Sequence, residues 1–193
     1  DVENKLLINL KVVSTPVKVR KGYLVEATFK RRSGKLDKFD LVFKDTEFFN
    51  HCAKGMVLKV VGRAFAEVKE DTDYVSKMYI LADEITELAK EPRDYVGEIY
   101  LNDVEVISRE PIRKSYDGTD KDVMNLVVRA GEDGIFHVTT WNYEARFLND
   151  KVEVGDTFSL CGRLQEFISK RTGRRYFSIN AFKVDMKPFK ADF

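Results

Sequence analysis

The chain has 193 residues, enough for one large or two small domains. Its hydrophobic content of 44% can fill real cores, its 34% of charged residues hydrates the surface, and no run approaches the ~20 apolar residues of a helical membrane span. A net charge of +1 lacks the basic excess of a duplex-DNA protein, although Lys and Arg cluster at KVRK (18–21), KRRSGK (30–35) and SKRTGRR (169–175). Each cluster reads either as a positive patch or as a solvated loop face.

Strand-like alternation dominates in chain order. KLLINLKVV (5–13), YLVEATFK (23–30), FDLVF (39–43), VLKVVGRAFAEV (57–68) and YVSKMYIL (74–81) fill the first half. GEIYLNDVEVIS (97–108), VMNLVVRA (123–130), IFHVTTW (135–141), TFSLCGRLQEF (157–167) and RYFSINAFKV (175–184) fill the second. Turn chemistry separates them, and GEDG (131–134) reads as a hairpin connection. Only 45–54 and 142–151 look helical. Around Pro92, ELAKEPRDY (87–95) has the charge and the proline of a linker.

The two halves repeat one pattern. GMVLKVVGRAF (55–65) and GDTFSLCGRLQEF (155–167) both open on a turn Gly and reach Gly-Arg. Each follows a short aromatic segment, and each segment follows an alternating strand. A spacing of about 100 residues suits two whole small domains rather than a solenoid. We therefore expect an all-β chain with short helices: two tandem five-stranded oligonucleotide/oligosaccharide-binding (OB) barrels, at 1–90 and 91–193. A small barrel of SH3 type is the alternative.

Catalytic chemistry is missing from the sequence. His51 and His137 have no Cys or carboxylate at metal spacing, so neither metal nor cofactor is expected. No phosphate-binding Gly loop or nucleophile elbow occurs. The acidic stretches DTD (71–73) and EDG (132–134) read as solvated turns. Cys161 sits in an apolar strand and reads as a small core residue. Two unpaired cysteines, with no visible secretory segment, point to a reducing cytoplasm.

Strand parity points to a binding face. In IFHVTTW, Phe136, Val138 and Thr140 share one side, expected to be core, while His137, Thr139 and Trp141 share the other. In MNLVVRA, Asn125, Val127 and Arg129 take the wetter side. A Trp there, beside Arg129, has the composition of a base-stacking platform; packing under the next helix is the alternative. Phe167 and Tyr176 flank the basic hairpin. Arg171, Arg174 and Arg175, with Lys170, would supply phosphate contacts there.

SREPIRKSYDGT (108–119), HVTTWNYEARFL (137–148), VEVGDTFSLCGRLQEF (152–167) and TGRRYFSIN (172–180) together resemble a bacterial or phage single-stranded DNA-binding protein. Glu110-Pro111, Trp141, Glu144-Ala145, Gly155-Asp156 and Gly162-Arg163-Leu164-Gln165 follow the family's order over about half the chain. Residues 5–88 follow it more loosely, through Pro16, Phe43, Gly55 and Gly62-Arg63. The resemblance implies single-stranded DNA as ligand, with Arg113, Lys114 and Tyr116 of the basic loop added to the contacts. In the first half Lys30, Arg31, Arg32, Lys35 and Phe43 are the corresponding candidates, although Phe39, Leu41 and Phe43 could simply be core. It further implies a role in DNA replication, recombination or repair, partner proteins from those processes and a homodimer supplying four OB units. The terminal KPFKADF echoes a partner-recruiting tip without its acidic run. An OB adaptor with weak nucleic-acid affinity, or an RNA-binding OB protein, are the competing readings.

Overall fold

The computed structural model describes residues 3–68 and 75–193; the expected acidic turn 71–73 and Tyr74 lie outside them. Two compact units interleave in sequence. One comprises Lys5–Phe65, Met78–Glu98 and Phe193; the other comprises Asp1–Asn4, Ala66–Lys77 and Ile99–Asp192. We call them the N-terminal and C-terminal units. No helix among the described residues is long and apolar enough to cross a membrane.

The strands and helices, in order, are β1 (Glu3–Val12), β2 (Val17–Val19), β3 (Gly22–Lys30), β4 (Leu36–Phe43), α1 (Thr46–His51), β5 (Val57–Val68), β6 (Val75–Glu87), β7 (Gly97–Arg109), β8 (Arg113–Lys114), β9 (Asp122–Arg129), β10 (Ile135–Trp141), α2 (Asn142–Lys151), β11 (Thr157–Ile168) and β12 (Arg175–Asp185). Both expected helices and the long alternating strands are present. Only β2 and β8 escape the sequence reading. They are three and two residues long, too short to show a period of two.

In the C-terminal unit five strands close on themselves. β7 pairs antiparallel with β9 and β11, β9 with β10, and β11 with β12; a parallel pairing of β10 with β12 completes the ring. β8 extends the edge of β9 through Arg113↔Val123. The GEDG segment forms the β9–β10 connection through a 3-10 turn, Gly131–Asp133. Met124, Leu126, Val128, Phe136, Val138 and Phe158 fill the interior, with Ala145 and Leu148 of α2 also buried. Parity holds as expected: Thr140 is buried with Phe136 and Val138, and its hydroxyl donates to the Met124 carbonyl at 3.0 Å. Cys161 is buried as expected.

In the N-terminal unit the strand order is β2-β3-β4-β6-β5-β1, and β3 also pairs with β1. Phe29, Phe39, Leu41, Phe43, Leu58 and Ile80 make its core. The Asp45 carboxylate caps α1 by accepting the Phe48 N–H at 3.0 Å. The segment after β6 is fastened down. Leu88 N–H donates to Val57 O, and Asn9 exchanges hydrogen bonds with the backbone of Val96 at 2.8 Å each way. Tyr95 donates to Glu91 at 2.7 Å; burial, then that carboxylate, push its phenol up.

The repeated Gly-Arg step has a steric cause. A Cβ at Gly62 would collide with the Leu81 carbonyl oxygen of β6, and one at Gly162 would lie 2.6 Å from the Asn180 carbonyl oxygen of β12. Each Gly lets a neighbouring backbone approach, and at Gly162 the register also shifts by a bulge. Gly55 and Gly155 both sit at φ +94°, a turn conformation strained for other residues.

Candidate nucleic-acid interface

On the C-terminal unit the outward positions of four adjacent strands form one continuous face. Register sets Val127 beside His137, Asn125 beside Thr139 and Val123 beside Trp141. Thr139 lies level with Asn180 on β12, and β11 sets Gln165 beside Ser178 and Phe167 beside Tyr176. Apart from Val127 and the buried Val123, the residues on this face are polar or aromatic, and most are half-buried.

Two aromatic stations mark its ends. The Phe167 and Tyr176 rings stack with centroids 5.2 Å apart and planes 18° from parallel. Phe167 remains 45% exposed, so an apolar ring surface is presented to solvent. Trp141 is half-buried, and its indole Nε1 donates to Asn180 Oδ1 at 2.9 Å. That bond fixes the ring at the end of β10 rather than burying it under α2. Lys121 Nζ sits 5.9 Å from its centroid. Asn180 is four residues beyond Tyr176 on one strand, which puts the two stations about 13 Å apart. Between them lies a groove of about 260 Å³, walled by Glu110, Asn125, His137, Thr139 and Ser178 and bounded by the Phe167–Tyr176 pair.

Basic residues border this face unevenly. Lys170, Arg171 and Arg174 are exposed on the turn joining β11 and β12, which closes through Gly173 N–H to Ser169 O at 2.8 Å. Arg175 differs from that expectation. It alternates to the opposite side from Tyr176, donates from Nε to Glu166 and lies 4.8 Å from the Phe177 ring centroid. Its charge is matched within the fold. In the basic loop, Arg113 stacks 4.1 Å from the centroid of Tyr116, whose ring is 89% exposed. Lys114 is paired to Asp122 at 2.9 Å and to Asp120 at 3.8 Å; Arg146 also reaches Asp122, at 2.7 Å. These cations hold the Asp122 carboxyl below the usual range, chiefly through their hydrogen bonds. Asp117 is held low by hydrogen bonds from Ser115 and Thr119, which shape the loop.

Arg129 does not stand beside Trp141. It pairs with Ile135 at the opposite end of the ladder, six residues and about 20 Å along the strand, and lies 4.0 Å from Glu105. Asn125, Thr139, Ser178 and Asn180 complete this face; sequence parity set the first two on the wetter side without naming them as contacts, and left out the other two. The period-two pattern of RYFSINAF already set Tyr176, Ser178 and Asn180 on one side.

The candidates of the N-terminal unit scatter. Phe43 is 2% exposed, its ring 5.0 Å from Phe48 and 5.6 Å from Tyr23, so no face is open to a base. Arg31 forks onto Asp37, with Nε to Oδ2 at 2.8 Å and Nη2 to Oδ1 at 2.6 Å. Asp37 is fully buried, so this Arg satisfies a core-edge carboxylate. Lys30 is 3.7 Å from Glu91 and 5.6 Å from the Tyr95 centroid. Arg32 and Lys35 are exposed on the β3–β4 turn. A different cationic set, Lys21, Lys44 and Arg63 with Phe65, lines a cavity of about 510 Å³ beside Asp83.

No family model matches the sequence, and no curated protein matches it. Solved structures do. The wild-type single-stranded DNA-binding protein of Thermus aquaticus aligns with a TM-score of 0.73 over 100% of this chain and 96% of its own, at 16% identity. A deletion mutant of the same protein aligns at 0.69, over 98% of this chain and 96% of its own, also at 16% identity. The fold of this chain is therefore the fold of single-stranded DNA-binding proteins.

Proposed function

We propose that this protein binds single-stranded DNA without catalysis, through the outward face of β9, β10, β12 and β11. The observation behind this reading is the pair of aromatic stations, half-buried Trp141 and the Phe167–Tyr176 stack, set about 13 Å apart on one face. Successive bases stack on such stations, while exposed Lys170, Arg171 and Arg174 neutralise the backbone beside them. A duplex keeps its bases stacked and inside, so it gains only the charge contacts.

In this reading both units are OB barrels in tandem, and the C-terminal one holds the main DNA contacts. The protein serves replication, recombination or repair in the cytoplasm of a bacterium or its phage, and two chains pair to bring four barrels together. Its partners are single-stranded DNA and proteins of those processes. The likeness of fold supports this reading, and the face described above supplies the chemistry that fold alone does not.

The test uses the one Trp of the chain. Oligo-dT should quench Trp141 emission and bind well above a duplex of equal length at moderate salt. Equal affinity for the duplex would sink the proposal. Light scattering on the free chain checks the dimer, and a monomer mass with DNA binding intact would remove it.

A further inference from the structure

We propose that the groove between Glu110 and the Phe167–Tyr176 stack is a base-selecting subsite that takes guanine by its donor edge. The inference rests on the single-stranded DNA reading above and adds a preference that stacking alone does not give.

The groove, at about 260 Å³, has room for one base. The stacked rings form an apolar wall on one side. Elsewhere in the lining stands a carboxylate. Glu110 N–H donates to Asn125 O at 3.0 Å, and Asn125 Nδ2 donates back to Glu110 Oε2 at 3.3 Å. Glu110 is exposed, and this exchange directs its side chain toward the groove. No cation pairs with Glu110 among the described residues.

A carboxylate with no cation beside it, on a face that meets a polyanion, repels phosphate. A strand lying here must therefore turn a base edge, not its backbone, toward Glu110. A carboxylate only accepts, and its two oxygens have about four lone-pair sites, so the Asn125 bond leaves capacity. Guanine presents N1–H and the 2-amino group side by side, two donors that match two oxygens. Cytosine and adenine offer one amino group next to a lone pair. Thymine sets two carbonyl oxygens around a single N–H and is repelled. The order expected is guanine first and thymine last, because the wrong edge sets acceptor against acceptor.

Fluorescence anisotropy with thymine oligomers of about 16 nucleotides, holding a central guanine, inosine or thymine, tests this on the full chain. Inosine keeps N1–H and lacks the 2-amino group. The guanine strand should bind at least about fivefold more tightly than the all-thymine strand, with inosine between them. Glu110→Gln should raise the affinity for thymine and shrink the guanine advantage to roughly twofold or less. Equal binding of all three strands by the natural protein overturns the subsite while leaving single-stranded DNA binding intact. A guanine advantage that survives Glu110→Gln, in a variant with unchanged melting temperature, overturns the role of Glu110. If no strand binds, the functional reading fails and the subsite falls with it.

Discussion

The outward faces of the two units differ more than their strand orders do. Gly62 meets the Leu81 carbonyl as Gly162 meets the Asn180 carbonyl, so Leu81 and Asn180 are equivalent positions. Val42 lies level with Leu81, and Thr139 level with Asn180. Counting from there, Asp40 stands where His137 does, and Phe43 stands where Thr140 does. One unit has a groove between Trp141 and a stacked aromatic pair. The other presents Asp40, Val42, Tyr79 and Leu81 at the corresponding places. The same pairing of strands thus presents an aromatic-bordered groove or a mixed face according to which residues take the outward positions. An aromatic that ends a strand faces in or out by a shift of one residue.

The largest expected effect tests that shift. Phe43→Ala should destabilise the fold by about 3–5 kcal/mol, the usual cost of deleting a buried Phe, while oligo-dT affinity of the folded protein stays as it was. A loss of affinity at unchanged melting temperature would return Phe43 to the binding surface and break the contrast.

Arg31→Ala should come next. It removes both guanidinium hydrogen bonds from the buried Asp37 carboxylate, so a loss of about 3 kcal/mol in unfolding free energy is expected. The salt dependence of DNA binding should not move. A flatter slope at unchanged stability would make Arg31 a phosphate contact instead.

Trp141→Ala should reverse the Phe43 pattern. Affinity for oligo-dT should fall by about 1–3 kcal/mol, the worth of one base–aromatic stack. Melting should drop by less than for Phe43→Ala, because the indole is half-buried and loses one hydrogen bond to Asn180. If stability collapses and affinity persists, Trp141 is core and the two faces are alike.

The smallest effect separates cations within one hairpin. Arg171→Ala should flatten the slope of log K against log salt by roughly 0.7. Arg175→Ala should leave the slope alone and lower stability, since Arg175 answers Glu166. Equal slope changes would mean that the ion pair opens on binding.

The sequence by itself determined the long strands, both helices and the face of β10. These follow from period-two alternation, from turn glycines and from a Gly-Arg step imposed by close backbones, all local in the chain. His137, Trp141, Phe167 and Tyr176 were legible for the same reason. Only the tertiary structure decided which charges are spent inside the fold. Arg31, Lys114 and Arg175 read as free cations until Asp37, Asp122 and Glu166 stand beside them. It also decided that Arg129 and Trp141 occupy opposite ends of a ladder, and that Glu110 comes to the groove through its pairing with Asn125. Those partners face each other across hairpins, where turn length and register set which residues meet; period-two alternation gives the side of a strand that a residue takes but not its partner across the ladder.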